Sequence, residues 1–142
     1  MKILLKIILS LIAIVMLLVI THLAIIELGR EVVTLRTTDA AGAVQETRLW
    51  IVDVDGAAWL HSAGPVWAGR FDDNPVVEVV RHGRIGRYTA TPVPGPHPDI
   101  DAALRQKYGF ADRWVRWIAP CGEDTIPVRL EPVPGTQPVP EQ

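Results

Sequence analysis

An Asp-Gly pair, Asp55-Gly56, sits between two segments in which apolar and polar residues alternate, within the stretch Glu46 to Asn74. Both central residues of a type I′ turn need positive φ, which Asp and Gly tolerate, and the twist of that turn matches the twist of the strands it joins. This stretch therefore fixes a β-hairpin at the centre of the chain. Its arms carry Trp50 and Trp59, and the second arm runs into His61-Ser62-Ala63-Gly64-Pro65. A short crossing with Trp67 and Arg70 follows and closes at Asn74-Pro75, where proline disfavours helix at the preceding residue. A hairpin followed by a polar crossing is a place to hold a flat ligand.

Residues Ile7 to Ile26 form an almost unbroken apolar run, matching the ~20 residues that cross a bilayer core. A cleaved signal peptide has a shorter apolar region, about 7–15 residues, and a small-x-small cleavage site, which His22-Leu23-Ala24 lacks. The run is expected to be an uncleaved single-pass anchor over residues 1–28, followed by a domain over 29–132 and a proline-rich, disordered tail over 133–142. Lys2 and Lys6 precede the span and Arg30 and Arg36 follow it, so the charge bias is even. The free amino terminus tips the expectation towards N-inside, with the domain outside the cytoplasm. With 142 residues there is room for one domain. The net charge of −2 and the lack of an aromatic-interleaved basic patch exclude nucleic acid as a partner. The single cysteine, Cys121, makes no internal disulfide.

After the anchor, residues 31–38 are β-branched and predict a first strand, with a turn over 39–43. Pro75 opens a strand at 76–81, which His82-Gly83 turns into another at 84–91, where Gly86 marks a bulge or a close backbone approach. Residues 92–98, PVPGPHP, break regular structure. Asp99 is the expected N-cap of a helix over 100–108, and a second helix is expected over 111–118 with Trp114, Trp117 and Ile118 on one face. The last strand, 125–131, contains Pro127 and is expected at an edge or bulge. Five or six short strands and one or two C-terminal helices give a mainly β, α+β chain that closes into a small barrel, removing exposed strand edges.

The chemistry-bearing residues mostly have ordinary alternatives. Tryptophans are large buried surfaces by default, and Trp59 is assigned to packing. His22, His61, His82 and His97 lack metal-ligand spacing, so no metal site is expected, and His61 has no evident partner carboxylate. Arg81, His82, Arg84 and Arg87 form a basic hairpin tip, either solvated or touching anionic headgroups. No Ser-His-Asp set, phosphate-cradling glycine loop or dinucleotide fingerprint is present, and no catalytic residue is assigned.

An ordered set of segments nevertheless resembles the split β-barrel flavin-binding group, and within it the deazaflavin-dependent nitroreductase-like family. The segments are Leu35-Arg36-Thr37-Thr38 before a glycine turn, Glu46-Thr47-Arg48-Leu49-Trp50, Trp67 through Asn74-Pro75-Val76-Val77, and Arg81 to Ala90. Lys107-Tyr108-Gly109-Phe110-Ala111-Asp112 and Ile126-Pro127-Val128-Arg129-Leu130-Glu131-Pro132 complete it. The resemblance implies a split barrel, often dimeric, holding FMN or a deazaflavin coenzyme at its rim, with the cofactor doing the hydride chemistry. Carried over by position, it implies Arg48 and Trp50 at the hairpin entry, Ser62 and Ala63 facing the ring, and Trp67 and Arg70 covering the phosphate side.

One segment departs from the family. Its first turn is typically basic, whereas this chain has Asp39-Ala40-Ala41-Gly42. Phosphate gains charge-assisted hydrogen bonds from Arg or Lys; here the phosphate site is either rebuilt from Arg48 and Arg70 or lost. Two expectations follow. One is a membrane-anchored flavin- or deazaflavin-dependent oxidoreductase reducing a small, lipophilic acceptor, of the nitroreductase or quinone-reductase kind. The other is a cofactor-free barrel serving as a membrane-tethered accessory or interaction subunit.

Overall fold

The structure, a computed structural model, describes residues 2–61, 65–72, 74–119 and 125–141. It divides into two units, Met1–Arg30 and Glu31–Gln142. The first is the helix α1, Lys2–Glu27. Its segment Ile3–Glu27 has a mean hydropathy of 3.2 over its most apolar window, long and apolar enough to cross a membrane.

The second unit contains, among the described residues, the strands β1 (Val32–Thr38), β2 (Val44–Val54), β3 (Ala57–His61), β4 (Val76–Arg81), β5 (Arg84–Pro92), β6 (Pro127–Pro132) and β7 (Val139–Pro140). The helices are α2 (Pro65–Ala68), α3 (Pro98–Tyr108) and α4 (Phe110–Ile118). Strand order is β4-β1-β2-β3-β6-β5, and β4 also pairs with β5, so six antiparallel strands close on themselves. The expected barrel is present.

Local sequence explains the two tight hairpins. Asp55 and Gly56 have φ of 51° and 76°, and His82 and Gly83 have φ of 52° and 68°, as a type I′ turn requires. The turn before β2 is built differently. Asp39 accepts the Ala41 and Ala43 amide hydrogens through Oδ1 at 2.9 and 2.8 Å, an Asx-type turn that Gly42 completes at φ 84°.

Alternation separates two apolar clusters. Val33, Leu35, Ile51, Leu60, Val77, Val79, Val128 and Leu130 point inward and, with Phe71, fill the barrel. Trp50, Val52, Val54 and Trp59 point outward and are covered by Ile100, Leu104 and Tyr108 of α3. The barrel thus buries both faces along β2 and β3, and at single outward positions such as Val80 of β4 and Pro127 of β6.

Four expectations are corrected in detail. Helix α3 begins at Pro98 with His97 as N-cap and no side-chain cap; proline's fixed φ suits the first helical position, and Asp99 and Asp101 instead occupy the first turn, facing the positive end of the helix. Gly86 pairs in register with Val79, so there is no bulge; the constraint is close approach, since a Cβ there meets the Tyr88 ring at 2.7 Å. Pro127 is neither at an edge nor in a bulge. It is the first residue of β6, a strand flanked on both sides by β3 and β5, where a missing N–H is tolerated. The segment after Pro132, expected to be disordered, folds back instead: Val139 and Pro140 pair with Ile85 and Arg84, and the Arg84 guanidinium donates to the Pro138 carbonyl at 2.8 Å. Its prolines are compatible with this outer position because they need donate nothing to the ladder.

Candidate functional site

The outer faces of β1, β2, β4 and β5 carry a row of charged side chains. Arg36 lies opposite Glu46 on one side and Glu78 on the other, and Glu78 lies opposite Arg87. Arg48, opposite Thr34, is the diagonal neighbour of Arg36 on the same face. Arg36 donates to Glu46 at 2.8 Å and to Glu141 at 3.1 Å, and the Glu46 hydrogen bond raises its pKa further above the usual range.

A cleft of about 220 Å³ opens here, lined by Arg36, Thr38, Val44, Asn74, Val76, Val77, Glu78 and Arg87. Two guanidiniums, a hydroxyl and an amide are groups that hold phosphate oxygens. The volume falls below the roughly 300–1,000 Å³ of a small-molecule site. The cleft has room for a small polar group but not for an aromatic ring system, and Glu78 places one carboxylate among its guanidiniums.

Further along the same face of β2, beyond Arg48, comes Trp50. Its indole stacks on Tyr108 with centroids 4.4 Å apart and planes 7° from parallel. The Tyr108 hydroxyl accepts the Ile51 amide hydrogen at 3.0 Å and lies 2.8 Å from the carbonyl oxygens of Glu31 and Ile51. Since Val32 pairs with Trp50, the next rung of the β1–β2 ladder would join Glu31 to Ile51. The tyrosine hydroxyl takes the place of that rung and pins α3 to the barrel. Burial first, with the Glu31 and Asp53 charges adding to it, pushes the Tyr108 pKa up to about 12.

Beside it, Arg81 donates to both Glu31 oxygens, at 2.6 and 3.3 Å, and to both Asp53 oxygens, at 2.9 and 2.7 Å. Lys107 bonds Glu31 and donates to the Ile51 carbonyl at 2.6 Å. Burial opposes ionisation of Glu31, yet Arg81 and Lys107 outweigh it and hold its carboxyl below the ordinary range; Arg81 does the same for Asp53. The basic hairpin tip read from the sequence is therefore largely spoken for: Arg81 is locked in this network and Arg84 is bonded to the tail.

The residues implied by the resemblance are only partly brought together. Arg48 and Trp50 share the outer face of β2. Trp67 packs against the inner cluster, edge-on to Phe71 at 5.0 Å, so it sits on the opposite side of the sheet from Trp50. Arg70 is exposed in the 3-10 turn Gly69–Phe71, within the crossing that leads to Asn74. Ser62, Ala63 and Cys121 lie outside the described residues. Arg36, Thr38, Asn74 and Arg87 all lie within the segments that carry the resemblance, but none is marked by its spacing as a site residue, and only the pairing of β1, β4 and β5 unites them. Sequence spacing also missed that His61 and His97 are neighbours in space, with ring centroids 5.7 Å apart.

No family sequence model matches the chain, and no curated protein matches it in sequence. Solved structures do match in fold. The heme storage protein HutZ from Vibrio cholerae is 18% identical, with a TM-score of 0.54 over 75% of this chain and 84% of that one. An FAD-binding protein from Mesorhizobium loti is 12% identical, with a TM-score of 0.52 over 78% and 84% of the two chains. A protein from Listeria innocua, provisionally called a pyridoxamine 5′-phosphate oxidase, is 14% identical, with a TM-score of 0.52 over 78% and 89%. The fold is a split β-barrel. Of these proteins, the first is described as a heme storage protein and the second as FAD-binding.

Proposed function

We propose that this chain is a membrane-anchored, flavin- or deazaflavin-dependent oxidoreductase that reduces a small, lipophilic acceptor such as a quinone or nitro compound. The observation that carries this reading is the outer flank of the barrel, where a cleft holding Arg36, Arg87, Thr38 and Asn74 opens beside Arg48 on a fold shared with a flavin-binding protein.

In this reading Arg36 and Arg87 bind the cofactor's phosphate, with Thr38 and Asn74 donating to its remaining oxygens. Arg48 adds a cation on the ring side, and Arg70 a further one from the crossing. Trp50 lies four residues along β2 from Glu46, about 13 Å at strand spacing, so the ring rests towards its edge. The bound cofactor supplies hydride transfer; the protein orients it and screens it from water. A second copy of the chain, covering the ring outside the shallow cleft, completes the site as a homodimer. Helix α1 anchors the domain in the bilayer, with the N-terminus inside and the barrel outside the cytoplasm, where a membrane-dissolved acceptor is at high local concentration. With full-length protein in lipid vesicles, a reductant and FMN or deazaflavin, a bilayer-partitioning quinone is expected to be reduced faster than a water-soluble analogue. Absence of any cofactor-dependent reduction of either acceptor overturns the proposal.

One observation favours the second reading, a cofactor-free accessory subunit. The turn that is basic in the resembled family carries Asp39, whose carboxylate consumes the Ala41 and Ala43 amides and repels an anion. In that case the protein takes up no flavin and is recovered from gently solubilised membranes with a stoichiometric partner.

A further inference from the structure

On the outer side of the barrel, where β3 ends against the start of α3, three metal-ligating side chains converge. His61 closes β3, His97 is the N-cap of α3, and Asp101 stands one turn further on, an i, i+4 spacing that puts His97 and Asp101 on one face. One ligand atom from each lies within 4.8 Å of the others. His61 Nε2 is 3.5 Å and His97 Nε2 is 3.9 Å from Asp101 Oδ1. Ligands about 2.0–2.1 Å from a tetrahedral ion are about 3.3 Å apart, so a small contraction brings the three into a coordination shell.

Two further observations point inward to an ion. The His61 Nε2 atom is buried and has no hydrogen-bond partner among the described residues. A buried, unsatisfied polar atom is costly, and an ion accounts for it. The His97 ring is set by its other nitrogen, Nδ1, which is 2.8 Å from the Gly95 carbonyl oxygen. Donation there places the proton on Nδ1 and leaves the Nε2 lone pair facing the cluster, the arrangement of metal-bound imidazoles whose second nitrogen is held by a carbonyl.

We propose that His61, His97 and Asp101 form a binding site for one divalent first-row transition ion of the zinc or cobalt class. Two imidazoles and one carboxylate suit that class and leave at least one coordination position open. Helix α4 brings further charged groups close to the cluster. The facing groups are Arg116 and Asp112. Arg116 donates to Asp101 Oδ1 at 2.9 Å and to Asp112 at 2.8 Å. The ion therefore either displaces the Arg116 contact to Asp101 or takes the second carboxylate oxygen, with Arg116 remaining anchored on Asp112. None of these residues lines the cleft assigned to the cofactor, so this site stands or falls independently of flavin binding.

The test is a Co²⁺ titration of tag-free, full-length protein in detergent, followed by visible absorption, with Zn²⁺ as competitor. The expected result is saturation at one equivalent, displacement of the cobalt spectrum by Zn²⁺, and loss of affinity as pH falls and the imidazoles protonate. His97→Gln and Asp101→Asn are each expected to abolish saturable binding while retaining the wild-type circular dichroism spectrum, and His82→Gln to leave it unchanged. His61→Gln should behave as His97→Gln; if it fails to fold, the other two variants decide. Absence of one-equivalent binding, or binding that survives in His97→Gln, overturns the proposal.

Discussion

Replacing Tyr108 by Phe isolates one atom whose role is specific to this fold. The hydroxyl accepts the Ile51 amide hydrogen at 3.0 Å and bridges to the Glu31 carbonyl at 2.8 Å, where the β1–β2 ladder ends. The Ile51 carbonyl retains Lys107 at 2.6 Å, so the main loss is the buried amide, left without a partner. An unsatisfied buried group costs about 1–3 kcal/mol. In small domains that is a fall in Tm of roughly 5–20 °C. The phenyl ring keeps its stack on Trp50, at 4.4 Å, so the tryptophan environment should barely change. Tyr108→Leu loses the stack as well, a further 0.5–1.5 kcal/mol or so. Thermal melts of the full-length protein in detergent, read by circular dichroism and tryptophan emission, measure both. A Tyr108→Phe protein within about 0.5 kcal/mol of wild type, the range of an inconsequential substitution, would refute the claim that this hydroxyl substitutes for a ladder rung.

Other outcomes are expected together. His61 has a lowered folded pKa, so the unfolded chain binds more protons between that value and 6.5; stability falls as pH drops through this window, and His61→Gln flattens the slope in urea melts. Glu31 and Asp53, also lowered, contribute stability that is present above their unfolded values of 4.5 and 3.8 and is lost on further acidification; in Arg81→Met that acid transition moves to higher pH. Tyr108 is raised to about 12, so its contribution is complete below 10 and disappears as pH climbs towards 12, a change that difference absorbance of the phenolate follows. Gly56→Ala puts a side chain at φ 76° and should cost about 1–2 kcal/mol in denaturant melts. Arg36→Ala, by removing a charge-assisted phosphate contact of about 1.5–3 kcal/mol, should weaken FMN or deazaflavin binding roughly tenfold to a hundredfold.

What the sequence disclosed was local. Asp55-Gly56 and His82-Gly83 carry their turn chemistry in two adjacent residues, and alternation along β1 and β2 separates Leu35 and Ile51 from Arg36 and Trp50 without reference to the rest of the chain. Features that depend on distant partners were not disclosed. Trp50 and Trp67 look equivalent in sequence, but they lie on opposite faces of the sheet because α3 covers one and the barrel encloses the other. The Tyr108 hydroxyl acts on a residue 57 positions away. His61 meets His97 only because β3 and the start of α3 end at the same place. His97-Pro98-Asp99-Ile100-Asp101 carries a usable signal, a ligand pair at helical i, i+4 spacing, which an N-cap at Asp99 obscures because it leaves His97 outside the helix. Proline-rich composition after Pro132 implied disorder, whereas an available edge on β5 recruits Val139 and Pro140.

The most direct test of the functional account is an equilibrium titration of the detergent-solubilised, full-length protein with FMN and with a deazaflavin coenzyme, followed by cofactor fluorescence and absorbance. The account predicts saturable binding of one of them, at one per chain, with a weakened constant in Arg36→Ala and Arg48→Ala while both variants keep the wild-type circular dichroism spectrum. A protein that perturbs neither cofactor's spectrum, or that binds equally well after both substitutions, contradicts it.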